Sequence, residues 1–597
     1  MKIPPRALWF SITCAAFLAA FFASGLQAAE TTGGDPANQS DRFTAIAIGS
    51  PDVADSAIAQ TGRATADTIA VDYVGRICRA APEQNVPAWD VDGWANYQRL
   101  CNELANRPDD VALRKYLGLP IGRLADTGVV IKSNRGRSAP SWLRWSSGSY
   151  RQIETPHLQI FSRADDSTSR QIAAELEQVY WVWTQLFFPL WESQPQVALQ
   201  LGQLDPQQSV SAALASGRAR LSTRGKLRIV LFRDAQEYVQ TLRQSIPGIE
   251  QSTGFYSDER QTSFFYPTNS RDGLASRQHE LVHQLFREAT RSELSGDSPG
   301  RQADFWLVEG IAGYFESLFL DGSLATVGGW DSPRLQHARA RILGRRDELA
   351  FAELRDGGQT NVQQRADLAR WYAHAIAQTH QLLDRGDMAS RRWVYGMLAS
   401  LYQIDLQVPG AAEPTAAERS LVRFLTIDDE RLRTNPATRP LEQLCLGGCQ
   451  ITATGLAQIP PASNLQWLDL SRLPIGTGDV TRLCPRPAEL NQLSLEATRI
   501  DDSIAAWIGA ANRLTEMDLS WTACSDQTIA SLGGHNQLHT LWLTGSKVSD
   551  ASIPTLLRLP GVEAIDVQRT PMTAAAIGQL KIQRPSWKLN PLQLLTP

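Results

Sequence analysis

The chain has 597 residues, more than one hydrophobic core organises, so several folded domains are expected. Apolar residues make up 43% and charged residues 20%, with 17 Trp, which excludes a disordered chain. A formal charge of −4 gives no basic excess, so nucleic acid is not an expected partner.

Lys2 and Arg6 precede an apolar run from Ala7 to Phe22 and small residues through Ala28 and Ala29. This is the pattern of a secretory signal peptide over residues 1–28. Ala7 to Leu26 is also about long enough to cross a bilayer, so an uncleaved anchor is the competing reading. Once the leader is removed no later segment reads as a membrane anchor, and the remainder is expected in the periplasm, at the cell surface or outside the cell. Of seven Cys, Cys14 leaves with the leader, and Cys78 with Cys101 is the first disulfide to test. No C-x-x-C spacing supports a Cys-based metal or redox site.

Residues 29–67 are rich in Ala, Gly, Ser, Thr and Asp without an apolar period, which predicts a flexible linker. Residues 68–147, including Trp94 to Ala105, form an accessory region with no readable motif. From Glu154 the texture changes. Alternation through Phe161 predicts a strand, and a helix is expected over about Ser167 to Phe188 with Tyr180, Trp181, Trp183, Phe187 and Phe188 as its buried side. Further strands are expected at Val197 to Leu201, Leu227 to Phe232, Gly254 to Ser257 and Thr262 to Tyr266, with Asp234 capping a helix.

Only eight His occur, yet two fall in His279-Glu280-Leu281-Val282-His283. Leu274 to Ala289 contains no Pro or Gly and reads as a helix, so His279 and His283, four apart, share a face and can hold one ion. Glu280, beside the first imidazole, can reach a metal-bound water. A catalytic zinc commonly takes three protein ligands. The third is expected from Trp306-Leu307-Val308-Glu309-Gly310, because an ionised Glu among apolar residues is costly without a cation. Glu288, Glu293, Asp297 and Glu316 are the alternative ligands, and Glu316 could instead hold an imidazole or be an ordinary surface residue. No Gly and third His follow His283, which argues against the metzincin pattern.

These residues resemble the gluzincin metallopeptidases, in which W-L-x-E-G-x-A-x-Y follows H-E-x-x-H; the match covers Trp306, Leu307, Glu309, Gly310, Ala312 and Tyr314. The resemblance implies an α+β zincin-like domain, assigned to residues 148–436, with one Zn2+ on His279, His283 and Glu309 and with Glu280 as general base. It implies a peptide or protein substrate. An oxyanion donor is also needed, for which Tyr372 and His374 are the candidates, although aromatic groups on such a helix are as readily core. His337, His380, His535 and His539 are expected to be structural or exposed.

An L-x-x-L-x-L core recurs at Leu441, Leu465, Leu490, Leu514, Leu538 and Val562, with a further apolar residue at a matching offset in each unit. This resembles the leucine-rich repeat family and implies an α/β solenoid over residues 437–597 that binds a protein partner. The register points Cys449 and Cys524 inward but coils apart, as buried thiols. In the turn, Thr498, Thr522, Ser546 and Thr570 can satisfy backbone groups, whereas Leu473 cannot. The leading expectation is a secreted zinc hydrolase with a partner-binding repeat domain. The alternatives are an inactive peptidase-like protein that binds through its repeats and a zinc-stabilised scaffold.

Overall fold

The computed structural model describes residues 131–590 except 188–189, 191–204, 206, 216–224, 247, 269–270, 290–297, 322–323, 385–387, 405–407 and 409–410. It also describes 68–72, 77–79, 103, 107 and 110–117. The expected signal peptide, the linker, Cys101 and the strand at Val197 to Leu201 lie outside the described residues. The chain is a multidomain α/β protein with mixed sheets and one parallel sheet. It divides into two compact units.

The described part of the first unit runs over Thr68–Val327 and Ala352–Pro414. Its larger sheet contains β3 (Lys132–Arg135), β4 (Arg151–Glu154), β5 (Leu158–Ser162), β6 (Leu227–Leu231), β7 (Gly254–Ser257) and β8 (Thr262–Phe265) in the order β3-β4-β5-β6-β8-β7. A smaller sheet joins β1 (Thr68–Asp72) and β2 (Ile77–Arg79) to β9 (Phe319–Asp321) and β10 (Leu324–Gly328). The described strands of the accessory region 68–147 belong to the same compact unit as later residues. They complete sheets whose other members come from beyond residue 148.

One cluster of buried side chains includes Leu143, Phe161, Val230, Phe232, Tyr238 and Phe264. Elsewhere in the unit, helix α1 (Asp166–Leu186) packs on α2 (Arg271–Gln284), with Trp183 and Phe187 against Phe286 at ring separations of 5.2 and 5.0 Å. Of the expected aromatic side of α1, Tyr180, Trp183 and Phe187 are buried. The side chain of Trp181, and Phe188 altogether, lie outside what is described. Asp234 caps its helix as expected, accepting from Glu237 N.

The α-helix bearing both His ends at Gln284 and continues through Ala289 as a π-helical turn, a local irregularity that often accompanies functional sites. Helix α3 (Phe305–Phe315) lies between α2 and α4 (Leu368–Asp384). Two glycines make the α3–α4 approach possible. A Cβ on Gly310 would meet Thr379 Oγ1 at 2.1 Å, and one on Gly313 would meet Ile376 Cδ1 at 2.4 Å.

The second unit gathers Gly328–Phe351 and Thr415–Pro597. The boundary expected at residue 436 is thus corrected, because two segments assigned to the first domain cluster with the repeats. Seven short parallel strands, β11 (Gln443–Cys445), β12 (Trp467–Asp469), β13 (Gln492–Ser494), β14 (Glu516–Asp518), β15 (Thr540–Trp542), β16 (Ala564–Asp566) and β17 (Lys588–Leu589), pair in chain order. The buried column Leu444, Leu468, Leu493, Met517, Leu541 and Ile565 is in register, and one apolar core runs the length of the stack. Stacking alone removes these side chains from water, since no single coil can bury its own.

Polar groups tie successive coils together. Asp502 accepts from Ser525 N and Oγ, Asp526 from Ser549 N and Oγ, and Asp550 from Thr573 N and Oγ1. Each coil also turns through a left-handed residue at the same position: Gly448, Arg472, Ala497, Trp521, Gly545 and Arg569 have φ of 76°, 63°, 53°, 58°, 67° and 55°. Four of the six are not glycine, and each bears the steric cost of that conformation, roughly 1–2 kcal/mol. In the turn, Thr498, Thr522 and Thr570 donate to backbone carbonyls three residues earlier, whereas Leu473 is simply buried. Cys449 and Cys524 are buried free thiols, as are Cys445 and Cys484.

The Gly328–Phe351 segment covers the first strand of the stack. Its helix Pro333–Arg339 places Arg339 in the interior, where the guanidinium donates to Leu425 O, Trp330 O and Cys445 O at 2.9, 3.1 and 3.1 Å. Gln336 Oε1 accepts from Cys445 N at 2.9 Å. Backbone groups at the end of the sheet, which would otherwise face apolar surroundings unpaired, are thereby satisfied.

Candidate metal centre

Helix α2 presents His279 and His283 one turn apart, and their Nε2 atoms lie 3.0 Å from each other. From α3, Glu309 brings Oε2 to 3.4 Å from His279 Nε2 and Oε1 to 3.8 Å from His283 Nε2. Ligand atoms of the three residues fall within 4.8 Å of one another, so the group could hold a metal ion. Ligands about 2.0–2.1 Å from a tetrahedral ion are separated by roughly 3.3 Å, close to these spacings.

The donor chemistry also fits a cation. Glu309 is fully buried, and neither carboxylate oxygen accepts a hydrogen bond. A charge in that position is expensive unless an opposite charge lies beside it. Burial works against protonation of His279, yet Glu309 and Glu316 overcome it and hold its pKa up to about 10. Burial, reinforced by the neighbouring His279, pushes His283 well below its ordinary value. The two imidazoles and the carboxylate thus converge on the place a metal ion would fill.

Among the alternative acids, Glu316 Oε1 lies 2.9 Å from His279 Nδ1, on the far side of the ring from Glu309. Such a contact fixes the tautomer and the ring orientation that leave Nε2 to a metal. Glu288 is engaged elsewhere, accepting from Tyr256 Oη at 3.1 Å and Gln284 Nε2 at 3.0 Å, and burial raises its pKa to about 7. Glu293 and Asp297 lie outside the described residues. Glu280 is buried, and its Oε2 accepts from Tyr256 N at 2.8 Å, so the edge strand β7 orients this carboxyl.

Tyr372 and His374 are buried on α4, and His374 Nδ1 contacts Arg370 O of its own helix at 2.8 Å. Neither belongs to the three-residue ligand group. A residue that sequence reasoning missed is Tyr402. It is buried, its ring stacks on Phe286 at 5.2 Å, and burial with the nearby Glu309 charge keeps its phenol protonated far into the alkaline range. Nothing local in the sequence marks it. It follows helix Met388–Leu401, and only tertiary folding brings it toward Glu309.

The remaining His have structural settings or none of note. His380 Nδ1 contacts Asp384 at 2.9 Å, beside Tyr314. His337 is partly buried, and loss of solvation with three neighbouring Arg lowers its pKa to about 3. His535 Nε2 contacts Ile508 O. Among the described residues no helix is long and apolar enough to cross a membrane. Compared with known proteins, the chain matches no family model and no curated protein.

Proposed function

We propose that the first unit is a gluzincin-type zinc hydrolase acting on peptide bonds, exported from the cell. We further propose that the second unit is a leucine-rich-repeat solenoid that binds a protein partner. The observation that carries the hydrolase reading is the Glu309 carboxylate. It is wholly buried, without hydrogen bonds, and faces the Nε2 atoms of two His from one helical turn.

His279, His283 and Glu309 hold the zinc, and Glu316 orients His279. When bound, the ion supplies Lewis acidity and lowers the pKa of water to about 7. Glu280 accepts the proton of the attacking water and later delivers it to the leaving nitrogen, with Tyr256 N fixing its carboxyl. The protonated phenol of Tyr402 is the donor we assign to the developing oxyanion, in preference to Tyr372 and His374. Burial and the charge of Glu309 keep this phenol protonated, whereas His374 is engaged with its own helix.

Metal analysis of the purified protein and of Glu280→Gln, together with digestion of a peptide library with and without chelator, tests the reading. Zinc retained in both proteins with cleavage lost in the variant is the expected result. Zinc bound without any cleavage by the wild type would overturn turnover and leave a binding protein.

A further inference from the structure

Glu280, Gln284 and Glu288 follow one another at four-residue spacing, so they rise along one face of α2 and its π-helical continuation. That face meets the sheet through polar contacts. Gln284 Oε1 accepts from Ser263 Oγ of β8 at 2.7 Å, while its Nε2 donates to Arg228 O of β6 at 3.2 Å and to Glu288 Oε1 at 3.0 Å. Gln284 and Glu280 are both buried. Burying such a row costs desolvation that an apolar face would avoid; what a bonded row adds is one defined geometry.

Tyr256 closes a circuit through this row. Its Oη donates to Glu288 Oε1 at 3.1 Å and its backbone N donates to Glu280 Oε2 at 2.8 Å, so one residue of β7 is held at both ends by acids about two helical turns apart. Among the described residues β7 is the outer strand of its sheet, paired with β8 alone. A strand in that position lacks the second neighbour that would fix its backbone. Arg287, in the same π-helical turn as Glu288, pairs with Asp258 just beyond the strand. The turn thus grips β7 at two points, on the residue that carries the Glu280 contact and two residues after it.

We infer that Glu288 is a positioning residue for the proposed general base: through the Tyr256 hydroxyl it fixes the Tyr256 amide, and through that amide the carboxyl of Glu280. A base has to be held within a fraction of an ångström of its working position, and a displacement of about 1 Å can cost a hundredfold in rate. Glu288 is not one of the three grouped ligands and works at one remove, through Tyr256. The inference rests on the hydrolase reading and adds to it the element that sets the base.

The test uses the full-length, zinc-loaded chain and follows two quantities. One is hydrogen exchange of the amide at position 256, by mass spectrometry of the proteolytic fragment spanning β7; the other is kcat and KM on a peptide selected by the library digestion. Tyr256→Phe keeps the ring and removes the hydroxyl, while Glu288→Ala removes its acceptor. Each should speed exchange at position 256 and lower kcat about tenfold, with zinc content and KM near wild type. The double variant should lose no more than either single one, because both break the same link. Glu288→Gln, whose side-chain oxygen still accepts from the Tyr256 hydroxyl, should recover most of both. Unchanged exchange in Tyr256→Phe and Glu288→Ala, or losses that add in the double variant, would overturn the inference whether or not peptides are cleaved. Exchange that responds as expected in a protein that binds zinc and cleaves no peptide supports the link and counts against the hydrolase reading alone.

Discussion

His279 is gripped from both sides of its ring: Nδ1 lies 2.9 Å from Glu316 Oε1, while Nε2 faces Glu309 at 3.4 Å. The two acids come from the same short stretch of chain, the second capping the helix that carries the first. Replacing Glu316 by Gln keeps the shape but removes the charge that sets the tautomer. Zinc affinity is expected to fall about 10–100-fold, measured by competition with a chelator. Unchanged affinity would reduce Glu316 to a bystander.

Tyr402→Phe removes one hydroxyl and leaves the ring on Phe286. If the phenol donates to the oxyanion, kcat falls about a hundredfold or more while zinc content and KM stay near wild type. Equal kcat would return that role to another donor. Tyr372→Phe and His374→Asn serve as comparisons, with smaller losses expected.

Gly310→Ala introduces a Cβ at 2.1 Å from Thr379 Oγ1 and 2.9 Å from Ala375 O, so α3 must move away from α4. Overpacking of this kind costs roughly 1–3 kcal/mol. Since α3 carries Glu309, chelator sensitivity should increase together with the loss of thermal stability. A paired Thr379→Ala should recover part of both.

Asp526 accepts from Ser549 N at 2.8 Å and from the hydroxyls of Ser549 and Ser552 in the following coil. Asp526→Ala leaves those donors without their acceptor. The stack should lose roughly 2–3 kcal/mol, read by denaturant unfolding of the second unit's transition. A loss below about 0.5 kcal/mol, typical of an ordinary surface site, would show that the clamps are not cooperative.

Asp518 gives a pH dependence with a definite sign. Its folded pKa is raised to about 7 from an ordinary 3.8, because burial and the facing Glu496 and Asp469 carboxylates favour the protonated form. Between roughly pH 4 and 7 the folded state therefore binds more protons than the unfolded one, and stability falls as pH rises. The contribution is present below pH 4 and lost by about 7, worth roughly 1–3 kcal/mol after allowing for solvent screening. Asp518→Asn should flatten this slope in thermal melts across that window, while an unchanged slope would place the titration elsewhere.

Features whose cause is local could be read from the sequence. The ligand pair follows from helical periodicity across His279 and His283, and Glu309 stands out because its neighbours are apolar. The six strand cores follow from recurring Leu, whereas β17 at Lys588–Leu589 lacks that pattern and joins only by stacking. Tyr402 was not legible, since proximity to Glu309 is created by the fold. Nor was the role of Pro333–Arg339, whose helix shows no repeat signature and whose buried Arg339 has meaning only once Leu425 and Cys445 stand opposite.

That buried arginine makes the repeats hard to excise. The polypeptide crosses from the first unit to the second after Val327, returns at Ala352 and crosses again after Pro414. A stop codon before Leu441 would strand a guanidinium whose acceptor at Cys445 is gone, and a fragment begun at Leu441 would start with an uncovered sheet end. Clean dissection requires joining residues 328–351 to residues 415–597 rather than making a single cut.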